Sequence, residues 1–352
     1  MSDPANLLAG LPVLEIGTGV AVAHCGKLLA EAGARVEKLL SPDDPILLDG
    51  PFAGTISLLA LDLNQGKTIR EINDGDWESS LAGKVVVIIG SLPGSPVAAQ
   101  IFERCGGDGG GRVVAILPPF GNDGPWSNDS GTDITAMAAG GFLHMIGEQA
   151  RSPLTLGGYQ ADRSQGASAF TGVMVALFAQ AANGRGQLVE ASAVDTIAYM
   201  EWKADIYEQA DGKPRRRGEK SQWFDLACAD GPFSFIYENP DWPKIKALIS
   251  DPRLDDPRFQ ERSGRIEHHD ALAVVLQDWI GNKSKAEAYA EVQAAGIPAG
   301  MVADTSDVLA SPQYEASGFF VDDCDETLGR FRRPGAAWSI DGIRPQRAGA
   351  DI

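Results

Sequence analysis

The stretch LPVLEIGTGVAVAHCGKLLAEAGARVEKLL, Leu11 to Leu40, decides the fold class. Val13–Ile16 reads as a short apolar strand, and Gly17 and Gly19 follow it as a tight turn. Ala21–Ala32 has Leu28, Leu29 and Ala32 on one side and Gly33 at its end, the pattern of a helix and its stop. Val36–Leu40 reads as a second strand. A strand, a crossover helix and a second strand in this order form the unit from which parallel sheets are built. Lys84–Ile89 and Arg112–Leu117 add two continuous apolar runs of the kind buried on both faces of such a sheet. Gly90–Gly94 and Pro118–Gly121 follow these runs, so both loops fall at the carboxyl ends of strands, where α/β proteins bind ligands.

Farther along, DITAMAAGGFLHMI, Asp133 to Ile146, reads as one closely packed helix of small residues. A second helix is expected from Asp162 to Ala182, stopped by Asn183-Gly184, with a strand over Leu188–Ser192. Asp211–Gly218 is basic and rich in breakers, which reads as a linker. Beyond it, a strand at Phe233–Tyr237 and amphipathic helices around Trp242–Ile249, Ala271–Ile280 and Lys285–Ala295 describe a smaller α+β region. That region closes near Ser311-Pro312, and the tail from Gly318 has few helix signals.

Composition narrows the function classes. A formal net charge of −18 repels nucleic acid and anionic membranes over the average surface, so neither is an expected partner. No apolar run approaches the length of a membrane span, and the N-terminal MSDPANLLAG lacks the basic-then-apolar order of a signal peptide. Four cysteines without CxxC spacing suit a reducing compartment, so a cytoplasmic location is expected. The four histidines do not fall at metal-ligand spacing, and no metal site is expected.

Glu15-Ile16-Gly17-Thr18-Gly19 invites comparison with the first motif of methyltransferases that use S-adenosylmethionine. That site needs a carboxylate at the end of the second strand to hold the ribose hydroxyls. Here the strand ends Lys38-Leu39-Leu40-Ser41, and Asp43 and Asp44 come only after a proline. A phosphate-binding Gly-Lys-Ser/Thr loop and a Gly-x-Ser-x-Gly elbow are likewise missing from the sequence. The segment that stands out is Gly157-Gly158-Tyr159-Gln160-Ala161-Asp162, in which an aspartate follows a glycine loop and opens a long helix. Its chemistry allows two roles, an N-cap or a carboxylate nucleophile at a helix start that ligand can reach.

The series of segments resembles the family III CoA-transferases, the group of formyl-CoA and carnitine CoA-transferases, with the α-methylacyl-CoA racemases as relatives. The resemblance is carried by the opening through Ser41-Pro42-Asp43-Asp44-Pro45, by LDLNQGKTI, by Phe120–Gly141 (FGNDGPWSNDSGTDITAMAAGG), by NGRGQLVEASAVD at Asn183–Asp195, and by DPRLDDPRF and AAGIPAGMV. It spans nearly the whole chain in order.

The resemblance implies a large Rossmann-like CoA-binding domain over 1–205 and 318–352 and an inserted small domain over 225–312, joined by linkers 206–224 and 313–317. It implies an interlocked dimer, and no permanently bound cofactor; coenzyme A and acyl-CoA are substrates. Asp162 falls on the family's catalytic aspartate, which passes through an acyl anhydride and an aspartyl-CoA thioester. Val20, Ala21, Leu92 and Gly94 fall around CoA, and Gly131 and Thr132 beside the substrate. Thr132 stands where the racemases carry histidine, and a hydroxyl is no acid or base near neutral pH, so racemisation is not expected. Several cationic positions around the nucleotide are lost, leaving Lys38, Lys67 and Arg70 as the nearest replacements. This departure raises a rival role, a weak or silent subunit paired with an active homologous chain.

Overall fold

The computed structural model of the chain describes residues 6–71, 77–90, 102–105, 111–211, 217–325 and 327–345, apart from the side chains of 203–205 and 211. The chain divides into a larger unit, 1–217 with 315–352, and a smaller one, 218–314. In the larger unit a six-stranded sheet runs in the spatial order Lys67–Glu71, Arg35–Leu40, Pro12–Ile16, Val86–Ile89, Val113–Ile116, Gln187–Glu190. Every neighbouring pair is parallel. This is the doubly wound order, in which the direction of winding reverses between the first strand and Val86–Ile89.

Both faces of the sheet are covered, which explains the continuous apolar runs. Val13, Val36, Val86, Ile88 and Val113 pack in one buried cluster with Leu29 of the Val20–Glu31 helix and with Ala169 and Val173 of the Gln160–Asn183 helix. Leu14, Ile16, Leu39, Val87 and Ile89 point the other way into a second cluster with Trp77 and Leu81. Successive residues of a strand alternate faces, so one run supplies two cores.

Two charged residues interrupt this pattern. Glu15 and Lys38 are register partners on adjacent strands, and both are fully buried. Lys38 Nζ lies 2.9 Å from Glu15 Oε1 and 3.1 Å from Asp44 Oδ2, while Lys67 Nζ lies 2.7 Å from Glu15 Oε2. Lys67 also donates to the carbonyl of Ala23, 2.7 Å away in the first helix. Two ammonium groups therefore neutralise two carboxylates out of reach of water. Burial alone would raise the Glu15 carboxyl, but the two lysines outweigh it and hold it below its ordinary value. Burial lowers Lys67 to about 8, with Glu15 opposing the shift and Lys38 adding to it. The helix can lie over this cluster because residue 26 is glycine: a Cβ there would sit 1.9 Å from Glu15 Oε2.

The structure departs from the sequence reading at several places. Two short helices, Asp133–Ala139 and Phe142–Met145, replace the single helix expected over Asp133–Ile146. Gly141, at φ +84°, turns the chain between them. The long helix begins at Gln160 rather than Asp162, with Tyr159 as its cap. A helix at Trp202–Asp211 runs into the expected linker 206–224, and the strand Trp223–Cys228 was not anticipated. The tail holds a hairpin, Phe320–Asp325 paired with Gly329–Pro334.

The smaller unit is an antiparallel sheet in the order Ala299–Met301, Gly231–Ile236, Trp223–Cys228. Its inner face, with Phe224, Leu226, Phe233 and Phe235, packs with Ile245, Leu272, Leu276 and Val292 from the helices that follow.

Replacing one member of the buried charge cluster leaves an uncompensated ion. Lys38→Met, which strips Asp44 of its cation, is expected to cost about 3–5 kcal/mol of stability by urea denaturation. A loss below about 1 kcal/mol would mean that the cluster contributes no more than a surface pair.

Candidate active site

A cavity of about 780 Å³ opens in the larger unit where the winding of the sheet reverses. Thr18, Gly19 and Val20 from the turn after the first strand, and Gly90 from the end of its neighbour, form one side. Pro119 and Gly131–Ile134 form another, and Leu156, Gly158, Tyr159 and Asp162 a third. Parallel strands all point their carboxyl ends to this edge, so loops far apart in sequence meet here.

The turn at Gly19 is held by the buried charges. Asp44 Oδ1 accepts from the Gly19 N–H at 3.2 Å and from the Ile46 N–H at 3.3 Å, and both Gly19 and Ile46 line the cavity. Val20–Glu31 then directs its N-terminus at the cavity. The first N–H groups of a helix have no acceptor within it and carry partial positive charge.

Asp162 stands in the first turn of the 24-residue helix Gln160–Asn183. Tyr159 precedes that helix in the left-handed region at φ +58°, a conformation that costs a residue with a side chain energy and recurs at functional sites. Three contacts fix the start of the helix. The Asp162 N–H donates to Asp133 Oδ1 at 3.0 Å. The buried Gln165 side chain donates to the carbonyls of Pro118 and Ala191, each at 2.8 Å, and so ties the helix to the ends of two strands. Gly166 lies so close to the first helix that a Cβ would meet the Ala21 carbonyl oxygen at 2.6 Å. Behind Asp162, Arg163 pairs with Asp62 at 3.2 Å, Lys27 pairs with the same carboxylate at 2.5 Å, and His24 Nδ1 lies 2.8 Å from the Arg163 carbonyl. Burial, with Arg163 and Lys27 adding to it, lowers His24 to about 4, so it is neutral near pH 7.

No hydrogen bond reaches the Asp162 carboxylate oxygens from the described residues. Desolvation first, and the charge of Asp133 second, push its carboxyl from an ordinary 3.8 up to about 7. Asp162 lines the cavity, and its carboxylate has no hydrogen-bond partner among the described residues. The N-cap role is excluded by geometry, because Tyr159 is the cap and Asp162 the third helical residue.

The structure brings Val20, Ala21, Gly131, Thr132 and Asp162 to one cavity. It does not bring the two lysines there. Lys38 and Lys67 are buried under the first helix with carboxylate partners, neither lining the cavity nor lying on the surface. Arg70 pairs with Glu37 at 2.9 Å on the flank of the sheet. Leu92 and Gly94 lie outside the described residues. Burial pushes the thiol of Cys25 far up, which removes it as a nucleophile. Asp133 and Gln165 were missed in the sequence. The signal for Gln165 was its place three residues after Asp162, on the same face of the helix.

A model of CoA-transferase family III matches residues 113–350. The chain belongs to CoA-transferase family III. It is 27% identical to the succinyl-CoA:(R)-benzylsuccinate CoA-transferase subunit BbsE of Thauera aromatica, over 94% of this chain and 87% of that one. It is 26% identical to an acetyl-CoA:oxalate CoA-transferase of Acetobacter aceti, over 91% and 87%. Its fold matches a CaiB/BaiF family protein of Brucella suis with a TM-score of 0.77 at 24% identity, over 90% and 89% of the two chains. Membership of family III leaves the methyl-transfer reading without support. The carboxylates nearest the turn, Glu15 and Asp44, are also committed to buried ion pairs.

Two outcomes follow for family III chemistry on this scaffold. A carboxyl raised to about 7 binds its proton in the folded chain where the unfolded chain has released it, so it costs stability progressively from about pH 4 to pH 7. Asp162→Asn should therefore raise the unfolding temperature by a few degrees at pH 8 and leave it near wild type at pH 4. An equal shift at both values would contradict the raised carboxyl. Gln165→Ala orphans two carbonyls and should cost about 1–3 kcal/mol in chemical denaturation.

Proposed function

We propose that the chain moves CoA between an acyl-CoA thioester and a free carboxylic acid through covalent intermediates on Asp162. The observation that carries this reading is the unpaired, cavity-facing carboxylate on a rigidly held helix start in a family III chain.

The Asp162 carboxylate attacks the thioester carbonyl; the C–S bond breaks, and an aspartyl–acyl anhydride and CoA thiolate form. Thiolate then attacks the aspartyl carbonyl of the anhydride, releasing the donor acid as its carboxylate and leaving an aspartyl-CoA thioester. The acceptor carboxylate attacks this thioester and regenerates thiolate beside a new anhydride. Thiolate finally attacks the acyl carbonyl, freeing Asp162 and the new acyl-CoA. No proton is consumed, and one difficult exchange becomes four easier ones. The elevated carboxyl value favours the reading, since a carboxylate that gives up its charge readily is the better nucleophile. First-turn N–H groups of the long helix serve the developing oxyanions, and those of Val20–Glu31 serve the anionic end of CoA.

A dimer belongs to the same proposal. Val175 and Phe178 of the long helix are 65% and 82% exposed, and Tyr199 is 83% exposed. Apolar side chains of this size left in water support an interface with a second copy. The cytoplasm suits the four free thiols. The rival, a weak or silent subunit of a hetero-oligomer, is favoured by one observation: among the described residues, no lysine or arginine lines the cavity.

Incubation of pure protein with a panel of acyl-CoA donors should give an acyl or CoA adduct on Asp162 by mass spectrometry. Asp162→Ala should lose the adduct and at least ~10³-fold in exchange rate, as expected for a nucleophile that forms the intermediate. The kcat/KM should rise with pH, with a midpoint near the value of about 7 for Asp162. Absence of an adduct with every donor, together with no CoA binding by calorimetry, would sink the enzyme reading and favour the subunit. Light scattering should report twice the 37.2 kDa chain mass.

A further inference from the structure

The Asp133–Ala139 helix is capped by its own neighbours. The Thr132 N–H donates to Thr135 Oγ1 at 2.7 Å, and the two threonines close a capping box. Asp133, the first residue of this helix, sends its carboxylate elsewhere. Its Oδ1 accepts from the Asp162 N–H at 3.0 Å, across 29 residues of sequence.

This contact answers a need of the other helix. The first N–H groups of a helix have no acceptor within it, and the N-cap side chain ordinarily takes that of the third residue. In Gln160–Asn183 the third residue is Asp162, and the cap, Tyr159, makes no side-chain hydrogen bond. Asp133 therefore caps the long helix from outside it. A neutral cap would satisfy the same N–H; a carboxylate also brings a negative charge to the cavity that both aspartates line.

Other titratable groups lie on the elements packed around the start of the long helix. Lys27 and Arg163 share Asp62, His24 is neutral near pH 7, and Cys25 is protonated. Glu190 accepts from the Asn122 N–H at 2.9 Å, and Asp195 stands in the first turn of Ala193–Met200. Glu31 ends the Val20–Glu31 helix, and His144 is exposed. Among the described residues, the charge that acts on the Asp162 carboxyl is that of Asp133.

We infer that Asp133 is a positioning residue for the nucleophile: one of its carboxylate oxygens holds the Asp162 amide at the cavity, and its charge favours the bond that discharges the Asp162 carboxylate. The inference rests on the CoA-transferase reading above and adds a second residue to its machinery. When an Asp162 oxygen bonds the acyl carbon, the C–S electron pair leaves on the CoA thiolate and the side chain becomes a neutral anhydride. Repulsion from Asp133 is thus relieved in the step that forms the intermediate.

The test gives the full-length protein acetyl-, succinyl- or benzoyl-CoA with the matching ¹³C-labelled acid and follows label into the thioester by mass spectrometry. Circular dichroism shows that each variant folds. Asp133→Asn keeps an acceptor oxygen for the Asp162 N–H and removes the charge, so the midpoint of kcat/KM against pH should move at least ~0.5 pH unit toward acid. Asp133→Ala removes both. At pH 9, where Asp162 is ionised in every variant, its kcat should fall at least ~tenfold below that of Asp133→Asn, because the amide is no longer held. A second readout needs no turnover. The rise in unfolding temperature that Asp162→Asn brings at pH 8 should shrink by at least ~1 °C in the Asp133→Asn background. An unmoved midpoint in Asp133→Asn, an Asp133→Ala variant that keeps the kcat of Asp133→Asn, or an undiminished rise would each overturn the inference and leave the transferase reading standing. No exchange with any of the three donors by the wild type, and no adduct on Asp162, would overturn the transferase reading and the inference with it.

Discussion

The buried set of Glu15, Lys38, Asp44 and Lys67 is the constraint on which the rest of the larger unit depends. Four charges without water require each other, and a carboxylate or an ammonium left alone in that position would cost about 3–5 kcal/mol of stability. Because they sit on three adjacent strands and on the loop that follows one of them, their mutual geometry fixes more than their own contacts. Lys67 reaches up to the Ala23 carbonyl and seats the first helix. Asp44 reaches across to Gly19 and sets the turn from which that helix springs. The N-terminus that faces the cavity is thereby placed from below, by groups that do not themselves line the cavity.

Placement of the Asp162 carboxylate follows a second line of the same logic. The long helix is pressed against the first one at Gly166, where only a hydrogen atom fits. Gln165 ties it to strand ends through two carbonyls, and Asp133 holds the Asp162 amide. Asp162 itself has no side-chain hydrogen-bond partner among the described residues. Its high carboxyl value is the consequence of burial first and of the Asp133 charge second. A carboxyl raised in this way gives up stability as the pH rises toward about 7.

Much of this was legible in the sequence and some of it was misleading. Glycine turns after apolar runs marked the carboxyl edge of a parallel sheet, and the Asp162 segment stood out as a glycine loop opening a long helix. Lys38 and Lys67 misled, because a lysine within a strand is ordinarily a surface residue, and one sequence does not reveal which carboxylates will close over it. The break at Gly140-Gly141 was hidden in a run of small residues that fits a continuous helix equally well. Trp223–Cys228 went unread since its alternation of buried and exposed positions begins directly after a stretch of breakers.

By itself the sequence determined the alternation of strands and helices, the parallel sheet, and the glycine loop and aspartate near the start of the long helix. These are local properties: periodicity, turn residues and the length of apolar runs act over a few neighbours. The tertiary structure alone decided that two lysines expected near a ligand are internal struts, that Asp162 is unpaired beside a second acid, and that the cavity wall bears no cation among its described residues. Each depends on which side chains from distant segments share a volume from which water is excluded. The energy of a charge is set by that company and not by its place along the chain.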